Sequence, residues 1–332
     1  MENIPLGLLT VFLASLLQGT FALFLKYAKP LKWENFWLIY SITGVFLAPL
    51  LFALMVIPNF FQVLNAAITQ TNLIPPLFFG ALWGIGSVLF GISASRIGLS
   101  LTYTIILGLT TFLGTILPLF INRTLPAKNP LIFLIIGLIF ILAGIITSGY
   151  SGYLRNKSSQ VVKGGIILGL FLAFISGLFS PLLNIAFITA KNIAVIAQNF
   201  GASPANSTAI TWVIILSGGF VVNSLYAIYL LAKNDSLTLY RKINFKILLA
   251  SAAAGVFWYG SVALYGLATV KLGKLGASVG WGIFISLSIV ISNLWAVKNG
   301  EWQGSKKAFS YQIKSIALII IGIAAIAAST LS

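Results

Sequence analysis

The sequence predicts an all-α polytopic membrane protein of about ten transmembrane helices, arranged as two inverted five-helix repeats. Three observations carry that expectation. Of 332 residues, 59% are hydrophobic and only 7% charged, where a soluble domain carries roughly a quarter charged residues. Apolar runs of about 20 residues, the span of a bilayer core, recur along the whole length. A motif in the first half of the chain returns in the second.

The runs predict helices at residues 5–25, 36–57, 73–94, 99–120, 131–150, 164–187, 209–232, 247–269, 275–297 and 313–331. Helices are required because lipid offers no partner to an unpaired backbone group, and the runs lack the alternation of a barrel strand. Short loops such as Pro58-Asn59 and Lys128-Asn129-Pro130 separate them. Met1-Glu2-Asn3 has no basic character, so the first run reads as a retained span rather than a signal peptide. Loops after odd-numbered spans hold 15 of the 20 basic residues, including Lys26, Arg96, Arg155, Lys233 and Lys298. Positive charge marks the cytoplasmic side. Odd-numbered spans are therefore expected to exit there, with both termini outside and the protein in the inner or plasma membrane. The lipid bilayer is the first expected partner.

Residues 83–91, Trp83-Gly84-Ile85-Gly86-Ser87-Val88-Leu89-Phe90-Gly91, return as Trp258-Tyr259-Gly260-Ser261-Val262-Ala263-Leu264-Tyr265-Gly266 with a one-residue shift. Arg96-Ile97-Gly98 returns as Lys271-Leu272-Gly273, and Gly7, Gly19 and Phe21 match Gly165, Gly177 and Phe179. The division expected is a first repeat at 1–150, a cytoplasmic linker at 151–163 and a second repeat at 164–332. Five spans is an odd number, so the second repeat enters the membrane upside down. Inverted repeats place a solute site at their interface near the membrane midplane.

Composition excludes several chemistries. Cysteine and histidine are absent, which removes disulfides, thiolate nucleophiles, Cys/His metal sites and Ser-His dyads. The four acids, Glu2, Glu34, Asp235 and Glu301, are read as lying outside the apolar runs. No catalytic role, cofactor or metal is expected, beyond a coupling ion that could be a proton or sodium. The net charge of +16 is spread over many loops as helix-flanking residues, so no nucleic-acid partner is expected.

Several segments carry a family resemblance. They are Lys32-Trp33-Glu34-Asn35-Phe36-Trp37, Pro58-Asn59-Phe60, Phe79-Gly80-Ala81-Leu82-Trp83-Gly84-Ile85-Gly86, Gly114-Thr115 with Pro118, Gly177-Leu178-Phe179-Ser180, Gly218-Gly219 with Asn223, and Glu301-Trp302. Through nearly its whole length the chain resembles the L-rhamnose–proton symporter family of the drug/metabolite transporter superfamily. The resemblance implies ten helices in two inverted repeats and cation-linked uptake of a monosaccharide. The family pattern has a carboxylate shortly before the span-9 Trp. Here that run is Gly276-Ala277-Ser278-Val279-Gly280-Trp281.

A sugar needs neutral donors and acceptors with aromatic planes in a mostly apolar cavity. The candidate substrate-binding residues are Gln18, Trp83, Ser87, Asn184, Trp258, Tyr259 and Trp281, in a cavity expected between spans 1, 3, 6, 8 and 9. Gln18 and Asn184 are equally suited to interhelical hydrogen bonds. Trp83 and Trp258 can stack on a sugar or sit in an aromatic belt. Tyr103 and Tyr265 offer hydroxyls, while Asn223 and Asn293 read as polar glue and Lys26 as a snorkelling anchor. The function expected is secondary transport of a small polar solute, most simply a rhamnose-like monosaccharide, by alternating access. An exporter of another metabolite and a non-transporting sensor or scaffold remain alternatives. A membrane-embedded transferase lacks the converging His, Asp or Glu it would need.

Overall fold

A computed structural model describes residues 2–97, 99–156, 165–300, 302 and 305–329. Lys157, Lys163, Glu301 and most of the expected linker lie outside the described residues. Among the described residues, nine helical stretches are long and apolar enough to cross a membrane. The longest, Phe245–Lys298, has 54 residues and would measure about 80 Å if straight. It turns back at Gly273, whose φ of 70° a side chain would resist. Its arms, Phe245–Leu272 and Gly276–Lys298, are packed side by side: the Tyr265 ring centroid lies 5.3 Å from that of Trp281 and 5.3 Å from that of Phe284. The described residues thus make ten crossings.

The others are span 1 (Ile4–Tyr27), span 2 (Trp33–Val56), span 3 (Ile74–Ile97), span 4 (Leu99–Ile121), span 5 (Lys128–Asn156), span 6 (from Ile166), span 7 (Thr208–Lys233) and span 10 (Lys306–Ala328). Phe245–Leu272 and Gly276–Lys298 are spans 8 and 9. Asn3, Asn244 and Ser305 cap spans 1, 8 and 10 by accepting from backbone N–H groups left open at a helix start.

Two spans depart from a plain helix. Span 6 stops at Phe179 and restarts at Leu182, because Pro181 cannot donate to the ladder and crowds the preceding turn. Span 2 passes through a π segment, Ser41–Leu47. Within it Gly44 lies against Gly255 of span 8, where an added methyl would strike backbone. Two amphipathic helices, Phe60–Gln70 and Lys191–Asn199, occupy stretches expected to be loops and pack on each other where spans 2 and 6 end.

The packing order positions everything else. Span 1 lies against spans 8 and 9, and span 6 against spans 3 and 4. Span 2 crosses spans 7 and 8, while span 7 crosses spans 2 and 3. Span 5 neighbours span 4, and span 10 neighbours span 9. Spans 4 and 9 meet, and spans 5 and 10 pack along their length.

Candidate solute cleft and its closed end

A cavity of about 350 Å³ opens on the face where spans 1, 5 and 9 end. Gln18 and Lys26 of span 1, Tyr103 and Thr104 of span 4, and Ser148 and Arg155 of span 5 line it. Ser288, Asn293 and Trp295 of span 9, Gln312 of span 10 and Trp302 complete the wall. Spans 1, 4, 5, 9 and 10 therefore form the cleft. The expectation of spans 1, 3, 6, 8 and 9 holds for spans 1 and 9 only. Spans 3, 6 and 8 pack behind span 1 or at the opposite end.

Gln18 is half-buried at the inner limit of the cleft, and its Oε1 accepts from Ser261 Oγ of span 8 at 2.7 Å. Gln312 is fully buried in the opposite wall. Its Oε1 accepts from Ser148 Oγ at 3.2 Å, while its Nε2 has no hydrogen-bond partner among the described residues. An unmet buried N–H costs about 1–3 kcal/mol, and a solute acceptor in the cleft would relieve it. Arg155 lies over the Trp302 ring, 4.7 Å from its centroid. Trp302 is itself buried, and its Nε1 lacks an acceptor among the described residues.

The opposite end is shut. Asn184, carried inward by the second segment of span 6, is fully buried. Its Nδ2 donates to the carbonyls of Gly114 (3.0 Å) and Ala277 (2.8 Å). Tyr265 donates to Asn184 Oδ1 at 2.6 Å and to the Ala277 carbonyl at 3.2 Å. Trp281 donates to the Thr110 carbonyl at 3.0 Å. Spans 4, 6, 8 and 9 are thereby laced together with Asn184 saturated, so in this conformation Asn184 and Trp281 join helices and do not face the cleft.

Trp83 and Trp258 stack on each other, with centroids 5.1 Å apart and planes at 17°. Trp258 is buried and meets Tyr40 edge-on, and the aromatic run continues through Tyr40, Trp37 and Trp33. Ser87 belongs to the same region. Its hydroxyl donates to Asn223 Oδ1 at 2.6 Å, which also accepts from the Trp37 indole at 2.8 Å. These residues join spans 2, 3, 7 and 8 outside the cleft. Tyr259 lines a separate apolar pocket of about 430 Å³, beside the exposed Leu51 and Met55.

Glu34 corrects the sequence reading of the acids. It sits in the first turn of span 2 and is only 4% exposed. Its Oε1 accepts from Asn234 Nδ2 (3.0 Å) and Ser236 Oγ (2.8 Å). Asn35 Nδ2 donates to the Ser236 carbonyl at 2.8 Å, and Tyr240 donates to the Asn35 carbonyl at 3.0 Å. Burial pushes the Tyr240 phenol up; the hydrogen bond to Asn35 opposes this and the Glu34 charge adds to it. Tyr240 therefore stays protonated and keeps donating. This clasp ties the start of span 2 to the loop after span 7.

Gln312, Ser148, Thr104 and Ser288 were not singled out from sequence. Gln312 fell one residue before the expected span 10, where a polar residue reads as a headgroup contact. The signal that would have found this wall is the run Ser148, Gly149, Gly152, Arg155 on one helical face. The two glycines leave that face open.

With this geometry in view, similarity to known proteins can be stated. The family model described as L-rhamnose-proton symport protein (RhaT) matches residues 1–331. The chain belongs to that family. It is a family named for transport, not for catalysis. An L-rhamnose-proton symporter of Yersinia pestis (strain Pestoides F) is 26% identical over 310 residues, covering 90% of this chain and 88% of the relative. One of Shigella dysenteriae serotype 1 is 24% identical over 315 residues, covering 90% of each. A solved crystal structure, 15% identical, aligns with a TM-score of 0.55 over 96% of this chain and 95% of that one. The last likeness shows a shared fold alone.

Proposed function

We propose that this chain is a secondary transporter of a sugar of the L-rhamnose kind, working by alternating access in the inner membrane, with the solute held in the cleft of spans 1, 4, 5, 9 and 10. The observation that carries the reading is a cleft open at one end and laced shut at the other. A bundle of this kind can present one site to either side by exchanging which end is laced.

The helix packing supports two inverted five-helix repeats and, with them, membership of the drug/metabolite transporter superfamily. Add five to each span number and the neighbours reproduce themselves. Span 1 against 8 and 9 becomes span 6 against 3 and 4, and spans 5 and 10 pair with each other. Individual residues agree. Gly7 packs on Leu272, and Gly169 packs on Ile97, the residue matched to Leu272 in the repeat. This correspondence sets Gly7 against Gly169, one helical turn beyond the Gly7–Gly165 match of the sequence. The repeats are assigned to residues 1–150 and 164–332, joined by 151–163. The basic bias puts the open end of the cleft in the cytoplasm and both termini outside.

The test is solute counterflow in proteoliposomes. Liposomes loaded with L-rhamnose should take up labelled L-rhamnose faster than liposomes with denatured protein, and a panel of amino acids and nucleosides should not replace it. Exchange of a panel member with no exchange of any sugar would assign the transporter to another metabolite. No exchange of any solute would leave a sensor or scaffold.

A further inference from the structure

The side chains around the open end of the cleft are unbalanced in their hydrogen-bonding capacity. Lys26 and Arg155 both line it, and they donate without accepting. Trp302 Nε1 and Gln312 Nε2 add two donors that have no acceptor among the described residues. No acidic side chain occurs among the described residues of the lining. Of the four acids, Glu34 is engaged in the clasp, Glu2 lies beside Gly273 at the closed end and Asp235 follows span 7; Glu301 lies outside the described residues.

A neutral sugar brings hydroxyls that donate as readily as they accept, and would leave this excess unmet. A carboxylate is acceptor-only, with about four lone-pair sites. Charge alone would not distinguish a site from ordinary cytoplasmic anchoring, because basic residues flank spans on that side anyway. The posture of Arg155 does distinguish them. An anchor extends its head toward the headgroups, whereas this guanidinium is half-buried and lies against the ring of a buried Trp that itself lines the cleft.

We propose that the cleft takes an anionic solute, a hydroxylated carboxylate of sugar size, with the carboxylate at Arg155 and Lys26 and the hydroxyls toward Gln18 and Gln312. This rests on reading the cleft as the solute site and names the class of solute it selects. The remaining lining suits it: Ser148, Thr104 and Asn293 supply neutral groups for hydroxyls, and Trp295 supplies an apolar plane for a ring face.

Thermal unfolding of the purified full chain in lipid nanodiscs tests it. L-rhamnose, D-galactose and D-galacturonate are titrated at matched ionic strength. The last two differ only in carrying a hydroxymethyl or a carboxylate at C6. D-galacturonate should half-saturate the midpoint shift at roughly tenfold or more lower concentration than D-galactose, the usual advantage of a charge-assisted contact. Arg155→Gln should close that gap, and Lys246→Gln, at the exposed start of span 8, should not. If Arg155→Gln does not fold, Lys26→Gln is read in its place. Equal or tighter binding of D-galactose or L-rhamnose would overturn the anionic solute while leaving a sugar site standing. A gap that survives in the Gln variants would overturn the assigned residues. No shift with any probe would remove the cleft as a sugar site, and this inference with it.

Discussion

Tyr265→Phe removes one oxygen from the closed end of the bundle and should shift the balance between its two faces. The hydroxyl donates to Asn184 Oδ1 at 2.6 Å and reaches the Ala277 carbonyl at 3.2 Å. Asn184 is fully buried, and its other amide atom already serves Gly114 and Ala277. Losing the Tyr265 donor leaves Asn184 Oδ1 unmet in a dry site, a cost of about 1–3 kcal/mol. Interhelical bonds measured within membranes fall nearer the lower end of that range. The penalty applies only while spans 6, 8 and 9 are laced, so it lowers the population of this state by roughly 5–150-fold relative to the opposite one. The absence of cysteine provides the assay. Ser292 lines the cleft and is exposed, so Ser292→Cys can be labelled with a water-soluble maleimide from the open face. Labelling should slow in the Tyr265→Phe background, with the retained ring keeping the fold intact. An unchanged rate in folded protein would refute the reasoning, because it would mean that the lacing does not favour the cleft-open state.

Gln18→Ala should depress transport strongly with little loss of folded protein, since Gln18 borders the cleft and its one printed partner, Ser261, keeps a bond to the Trp258 carbonyl; counterflow normalised to purified protein checks this. Trp258→Ala should behave differently. The ring is buried and stacked on Trp83, so truncation should cost about 3–5 kcal/mol of packing and reduce the yield of monodisperse protein, which size-exclusion chromatography reads directly. An imposed pH gradient alone should not drive accumulation, because the described cleft offers no carboxylate or imidazole to carry a proton; pH-driven uptake abolished in Lys26→Met would assign that role to Lys26.

Much of the fold could be read from sequence because lipid leaves the backbone few options. Runs such as 209–232 and 275–297 had to be helices, and the observed bounds, Thr208–Lys233 and Gly276–Lys298, differ by one residue at each end. The cleft was less legible. Apolar context marks a polar residue as unusual without saying which way it faces. Gln18 and Asn184 look alike in sequence, yet one borders the cleft and the other is saturated at the closed end. Facing depends on crossing geometry, and that is set by contacts hundreds of residues apart, such as Gly44 against Gly255. Expected span 6 ran straight through Ser180-Pro181, and only the break there aims Asn184 at Gly114 and Ala277.

The π segment of span 2 makes the length of that helix as consequential as its composition. Within Ser41–Leu47 the ladder reaches five residues back, as in the bond from Ala48 N–H to the Thr43 carbonyl, and a π turn holds about one residue more than an α turn. Deleting one residue there would let the helix relax to regular α geometry. Everything on one side of the deletion would then rotate by about 100° relative to the other. The Trp37–Tyr40 face, now against Asn223 and Trp258, and the Leu51–Met55 face, now outward, could no longer both be correctly aimed. Span 2 should therefore accept many conservative replacements but tolerate no change of reading length between Ser41 and Leu47. A scan of single-codon deletions along the gene would reveal that intolerance as a narrow gap.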